Sequence, residues 1–229
     1  RKIAYMLPRN ERLKRGVTSL HEPDILTRFA KIYSFYNTEM KENLFQNWVK
    51  QEIHLGNYEA KESLRHLQHD VQYMDPLTQM LYIDTRANLP DDLLMVSDKT
   101  SMANSIEARV PFLDYRLVEL IETIPSNLKL RGFQGKYLHK KAVAKWLPKN
   151  MIYKKKKGFD NPINKWLQGT MSSYIDESLL SEKSAVGHYF NKEYIKNIVA
   201  LHKENKEDYL RHIYLLVSFE LWHPQFISH

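Results

Sequence analysis

Seven glycines in 229 residues (Gly16, Gly56, Gly132, Gly135, Gly158, Gly169 and Gly187) constrain this chain more than any other feature. No pair stands at the spacing of a Walker A or dinucleotide loop, in which glycines let backbone amides approach a phosphate. A self-contained mononucleotide fold is therefore not expected. The absence of cysteine removes a disulfide framework, a thiolate zinc site, an iron–sulfur cluster and a cysteine nucleophile, and it fits a cytoplasmic setting. Hydrophobic residues at 43% and charged residues at 27% lie near globular averages, so the chain is expected to fold.

No stretch approaches the 18 to 20 uninterrupted apolar residues of a membrane span, so no membrane partner is expected. The sequence opens on Arg1 without a following apolar run, and the chain reads as a piece of something longer. What remains is helical spacing. Ile25, Leu26, Phe29, Ile32, Tyr33 and Tyr36 mark one face, and further helices are expected over Thr38 to Ile53 and Tyr58 to Met74, with Gly56 between them. Asp75-Pro76 reads as an N-cap and a first-turn proline, and Pro90-Asp91-Asp92 repeats the signal. The helix after Pro90 carries polar residues in its middle, as if presenting them to a ligand.

Val110 precedes Pro111 and must leave the α region, so Val110-Pro111-Phe112-Leu113 is expected as a buried loop, with Asp114 capping the next helix. Lys136 to Leu147 should be helical up to Pro148, residues 149–163 irregular, and Ile163 to Leu180, Glu193 to Leu201 and Tyr209 to Trp222 amphipathic helices. With no repeat, linker or low-complexity tract, residues 1–229 read as one mainly α unit.

Three groups of side chains carry possible chemistry. His66, His69 and Asp70 fall at i, i+3 and i+4, a spacing that suits a metal, but no further ligand is placed and no metal site is expected. Lys154 to Lys157 form the densest charge run, and Gly158-Phe159-Asp160-Asn161-Pro162 after it could tether a loop that turns one lysine inward toward phosphate. Asp98, Lys99, Glu107, Arg109 and Asp114 are interleaved with apolar residues, where ions need partners. Arg109 should pair with Glu107 or Asp114. The net charge of +7 leaves nucleic acid conceivable, but acids are interspersed with bases and no nucleic-acid motif is present, so that partner is not expected.

The blocks Asn88-Leu89-Pro90-Asp91-Asp92-Leu93-Leu94, Asp98-Lys99-Thr100-Ser101-Met102-Ala103, Ser105-Ile106-Glu107-Ala108-Arg109-Val110-Pro111-Phe112-Leu113-Asp114 and Lys154-Lys155-Lys156-Lys157-Gly158-Phe159, in this order, resemble the C-terminal half of the synthetase domain of glutamine-hydrolysing asparagine synthetases. The likeness is strongest over residues 75–170 and weaker to the closing Leu221-Trp222. It implies the helical portion of an α/β ATP-pyrophosphatase-type domain whose parallel sheet is largely absent from this chain. It also implies a ligase that uses ATP and magnesium, adenylates aspartate and lets glutamine-derived ammonia displace AMP.

By the same resemblance Lys156 corresponds to the catalytic lysine, Lys99 and Lys154 to cations that meet substrate or phosphate, and Asp98, Glu107, Arg109 and Asp114 to supports of the pocket. Lysine at 154 and at 99, where the family often shows arginine, keeps the charge and loses the bidentate fork. The family's Ser-Gly-Gly-x-Asp-Ser loop, its Glu-Gly-Ser-Asp-Glu segment and its glutaminase lie upstream of anything here. This chain alone is therefore expected to be inactive, to bind ATP and magnesium poorly and, with its apolar face uncovered, to self-associate. A related amide synthetase with another acceptor, β-lactam-forming or peptide-modifying, shares these motifs.

Overall fold

The computed structural model describes residues 21–55, 60–155 and 163–227, together with Val17 and Ser19. Gly16, Gly56, Tyr58, Lys156, Lys157 and the Gly158-to-Pro162 segment lie outside the described residues. The fold is mainly helical, and the described strands are β1 (Leu130–Arg131) and β2 (Gln134–Gly135), an antiparallel pair joined by Gly132-Phe133. Gly132 has φ +57°, the positive value that the first position of a tight two-residue hairpin loop demands. The expected mainly α character is found; the hairpin was not anticipated. The residues fall into two compact units.

One unit comprises residues 1–23, 27–59 and 159–229. Its helices include α2 (Thr38–Leu44), α3 (Asn47–Leu55), α11 (Ile163–Gln168), α12 (Ser172–Leu180), α13 (Ala185–Tyr189), α14 (Lys192–Lys203) and α15 (Leu210–Phe226); α1 (Ile25–Tyr33) precedes them in the chain. Ile175, Leu179, Val186, Ile195, Ile198 and Ile213 are at most 1% exposed and belong to one apolar cluster with Tyr36, Leu44, Leu167, Val199 and Leu216. The expected single helix over Thr38 to Ile53 is two, because Phe45 turns extended (φ −76°, ψ 143°) and forms an antiparallel bridge with Phe190. Gln46 N–H donates to the Tyr189 carbonyl (3.0 Å) and Asn191 N–H to that of Leu44 (2.7 Å), bonds unavailable to a continuous helix.

The other unit comprises residues 24–26 and 60–158. A 3-10 turn (Ala60–Leu64) leads into α4 (Arg65–Val71), so the helix expected from Tyr58 to Met74 is shorter and starts tighter. Then come α5 (Pro76–Arg86), a π-helical stretch (Leu89–Leu94), α6 (Met95–Met102), a 3-10 turn (Pro111–Leu113), α7 (Tyr115–Thr123), α8 (Ser126–Lys129), the hairpin, α9 (Tyr137–Val143) and α10 (Lys149–Ile152). Between Ala87 and Tyr137 no residue is buried, although Leu93, Val96, Ile106, Phe112 and Leu120 stand in that span, each more than half exposed. The loop at Val110 to Leu113 is therefore exposed, with Phe112 at 66%, and not buried as its composition suggested. Apolar residues report a tendency to be covered, but covering them takes an apposed surface, and the described residues offer none here.

Candidate functional site

Asp75 starts the helical run that leads to the site. Its carboxylate accepts from Leu77 N–H (3.0 Å), Thr78 N–H (3.2 Å), the Thr78 hydroxyl (2.6 Å) and the Ser126 hydroxyl (2.6 Å), which caps α5 and ties it to the start of α8. These bonds, Ser126 foremost, hold its pKa down at about 2. Pro90 cannot donate the N–H that would continue the ladder, and the chain widens into the π turn before Met95 resumes the α register.

The C-terminus of α6 is closed by its own polar residues. Thr100 Oγ donates to the Val96 carbonyl (2.7 Å), Ser101 Oγ to that of Asp98 (3.0 Å) and Asn104 Nδ2 to that of Thr100 (2.9 Å). Ile106 N–H reaches back to the Ser101 carbonyl (3.0 Å) and Ser105 N–H to that of Met102 (2.9 Å), the paired bonds of a Schellman motif. Its left-handed position is Ser105, at φ +57°, where glycine is the usual occupant. The polar middle of this helix thus serves partly to end it.

Beyond that turn Val110 is extended (φ −114°, ψ 93°), as its place before proline requires. Leu94, Met95, Ser97 and Asp98 face Ala108, Val110 and Leu113 across a shallow groove of about 420 Å³. Asp98 and the Glu107-to-Asp114 block, two of the motif blocks read from the sequence, therefore share one concavity. Arg109 pairs with Glu107 (Nε to Oε1, 3.0 Å), on side chains that are 83% and 66% exposed. Asp114 caps α7 by accepting from Arg116 N–H (3.0 Å) and pairs with the Arg116 guanidinium (2.6 Å), which keeps its carboxyl below the usual range. Arg109 thus takes Glu107, one of the two partners expected for it, and Arg116, which no motif marks, takes Asp114.

Lys99 does not line the groove, and it and Lys154 are exposed and in no ion pair among the described residues. Lys156 lies outside the described residues. His66, His69 and Asp70 are exposed on α4, where Asp70 accepts from the Tyr82 hydroxyl (3.2 Å), and among the described residues no three His, Asp or Glu side chains gather as a metal site. No helix among them is long and apolar enough to cross a membrane.

The asparagine synthase family model matches residues 7–224. The chain belongs to the asparagine synthase family. Among its relatives, asparagine synthetase (glutamine-hydrolyzing) 1 of Bacillus subtilis (strain 168) is 31% identical over 185 residues, 79% of this chain and 29% of that protein. Asparagine synthetase (glutamine-hydrolyzing) 3 of the same organism is 33% identical over 97 residues, 42% of this chain and 16% of that protein. Amidase chyE of Penicillium rubens is 29% identical over 114 residues, 47% of this chain and 17% of that protein. This asparagine synthase family chain thus spans less than a third of the length of these relatives. No solved structure matches it.

Proposed function

We propose that this chain is the C-terminal, cation-bearing part of an ATP-dependent amide synthetase that makes asparagine. The observation that carries the reading is the shared groove, where Asp98 and the Glu107-to-Asp114 block of a family chain meet. In the proposed reaction an aspartate side-chain oxygen attacks the α-phosphorus of ATP and pyrophosphate leaves. Ammonia derived from glutamine then attacks the acyl carbon, and AMP departs with the oxygen.

The donor set suits the phosphates. Lys99 and Lys154 carry charge that no carboxylate among the described residues neutralises, and each is free to meet a phosphate oxygen. Lys156 is assigned the stabilisation of charge developing at the attacked phosphorus, worth about 3 to 4 kcal/mol for one well-placed donor. Asp98 shapes the groove wall, Glu107 and Arg109 stiffen the extended segment through their pair, and Asp114 anchors its exit. Magnesium would accompany the nucleotide, but among the described residues no carboxylate cluster stands ready for it, and none of these residues is given a role as its ligand. The parallel sheet and glycine-rich loops of an ATP-pyrophosphatase domain would come from outside these 229 residues, which by themselves are inactive.

Lys156→Ala in the full-length enzyme tests the assignment. Asparagine formation should fall by about 10²- to 10³-fold while glutamine hydrolysis persists; unchanged synthesis removes Lys156 from the mechanism. The likeness to a protein named an amidase supports a second reading with a different acceptor. Pyrophosphate release that depends on aspartate favours asparagine, and release that ignores aspartate favours the other acceptor.

A further inference from the structure

The mixing of acids and bases expected along the chain breaks down in one place. From Thr123 to Phe159 there is no Asp or Glu, while Lys and Arg number eleven, leaving 23 basic against 27 acidic residues in the rest of a chain whose net charge is +7. Nine of the eleven lie among the described residues: Lys129, Arg131, Lys136, Lys140, Lys141, Lys145, Lys149, Lys154 and Lys155. None is in an ion pair there, whereas Arg65, Arg86, Arg109, Arg116 and Lys203 elsewhere all are. The positive field has a local consequence. Tyr137, whose ring has Lys141 Nζ 5.1 Å from its centre and whose hydroxyl accepts from Arg131 (2.5 Å), is held below the usual tyrosine range by Lys141 and Arg131.

Large rings stand exposed among these cations. Phe133 at the hairpin tip is fully exposed, Trp146 is 76% exposed and Tyr153 55%. Lys140 Nζ lies 5.7 Å from the Tyr153 ring centre, so cation and ring occur side by side. An uncompensated cationic surface bearing free aromatic faces matches the way proteins hold single-stranded nucleic acid, whose phosphates need cations and whose unstacked bases need rings.

Duplex DNA is a poorer fit, because α8, α9 and α10 span only four, seven and four residues and none is a recognition helix. A bilayer is a poorer fit as well: Leu147 and Met151 are exposed, but these short helices provide no long amphipathic face to lie in an interface.

We propose that the acid-free segment Thr123 to Tyr153 is a binding surface for single-stranded nucleic acid. The backbone runs along Lys141, Lys145 and Lys149, and bases stack on Trp146 and Phe133. This surface is separate from the roles given to Lys99, Lys154 and Lys156, and its test does not depend on synthetase activity.

The test is fluorescence anisotropy of labelled oligothymidylate titrated with this chain, repeated between about 50 and 200 mM salt. Neutralising about six phosphates gives a log–log salt slope near −4 for a single strand. Lys145→Gln with Lys149→Gln should flatten that slope by about 1 to 1.5, and Trp146→Ala should weaken binding about tenfold with the slope unchanged. All three positions are exposed, and an unaltered circular dichroism spectrum checks that each variant is folded. No binding at low salt, a slope near zero, or variants that bind like the parent would overturn the proposal. So would equal affinity for a duplex of the same length, or capture by phosphatidylserine vesicles without capture of the oligonucleotide.

Discussion

Ser105 holds φ at +57° at the end of α6, in a position that costs a residue with a Cβ about 1 to 2 kcal/mol and glycine almost nothing. Ser105→Gly should therefore be neutral or gain up to about 1 kcal/mol in a urea melt, while the β-branched Ser105→Val should lose more than 1 kcal/mol; equal behaviour of the two would contradict the strained turn. Asp75 is a larger stake, since one carboxylate serves two backbone amides of α5 and two hydroxyls. Asp75→Ala should cost about 1 to 2 kcal/mol. Its folded pKa of about 2 lies below the unfolded 3.8, so its contribution is present above pH 3.8 and lost as pH falls from there toward 2. His202 titrates with the same sense in another range. Burial lowers its pKa from 6.5, so the unfolded chain takes up the proton first, and stability should decline as pH drops below that value. His202→Gln should flatten this limb, and an unchanged profile would assign it to other groups.

At the scale of elements, local rules succeeded wherever local chemistry decided the outcome. Asp75-Pro76 starts a helix, Asp114 caps one and Val110 is extended before its proline, each for reasons contained in a few neighbouring residues. They failed where partners distant in sequence decide. The break at Phe45 depends on Phe190, and α13 was missed although its N-cap Ser184 is local and accepts from Gly187 N–H (2.9 Å); the other amides of its first turn are served from α15, where Glu220 accepts from Ala185 N–H (3.1 Å) and Val186 N–H (2.8 Å). Glu220→Ala should cost about 1 to 2 kcal/mol, as loss of a charge-assisted cap does, and a thermal melt that does not move would show the cap to be dispensable. Of the candidate site, the closeness of Asp98 to Ala108, Val110 and Leu113 of the next motif block was legible in the sequence, while Glu107, Arg109 and Asp114 do not line the groove those residues share. The pairing of Asp114 with Arg116 was not legible, because charge spacing alone cannot choose between Arg109 and Arg116 as the partner.

For the whole molecule, the contrast between the two units governs behaviour. Ile175, Leu179, Ile195, Ile198 and Ile213 form a sealed core, so Ile195→Ala should cost about 2 to 5 kcal/mol. Residues 88–122 bury nothing and display apolar side chains that would ordinarily be covered. Sedimentation should accordingly show self-association that increases with concentration and decreases when Phe112 and Leu120 are made polar; a monomer at all concentrations would contradict that reading. Under the proposed function, this uncovered span belongs to an active site completed from elsewhere in a longer protein. Calorimetric titration of magnesium–ATP into this chain, beside a version extended upstream through the family's glycine-rich loops, tests that claim most directly. Saturable binding by the extended protein and none by the 229 residues alone is the expected result, and tight binding by the 229 residues would contradict a site completed from elsewhere.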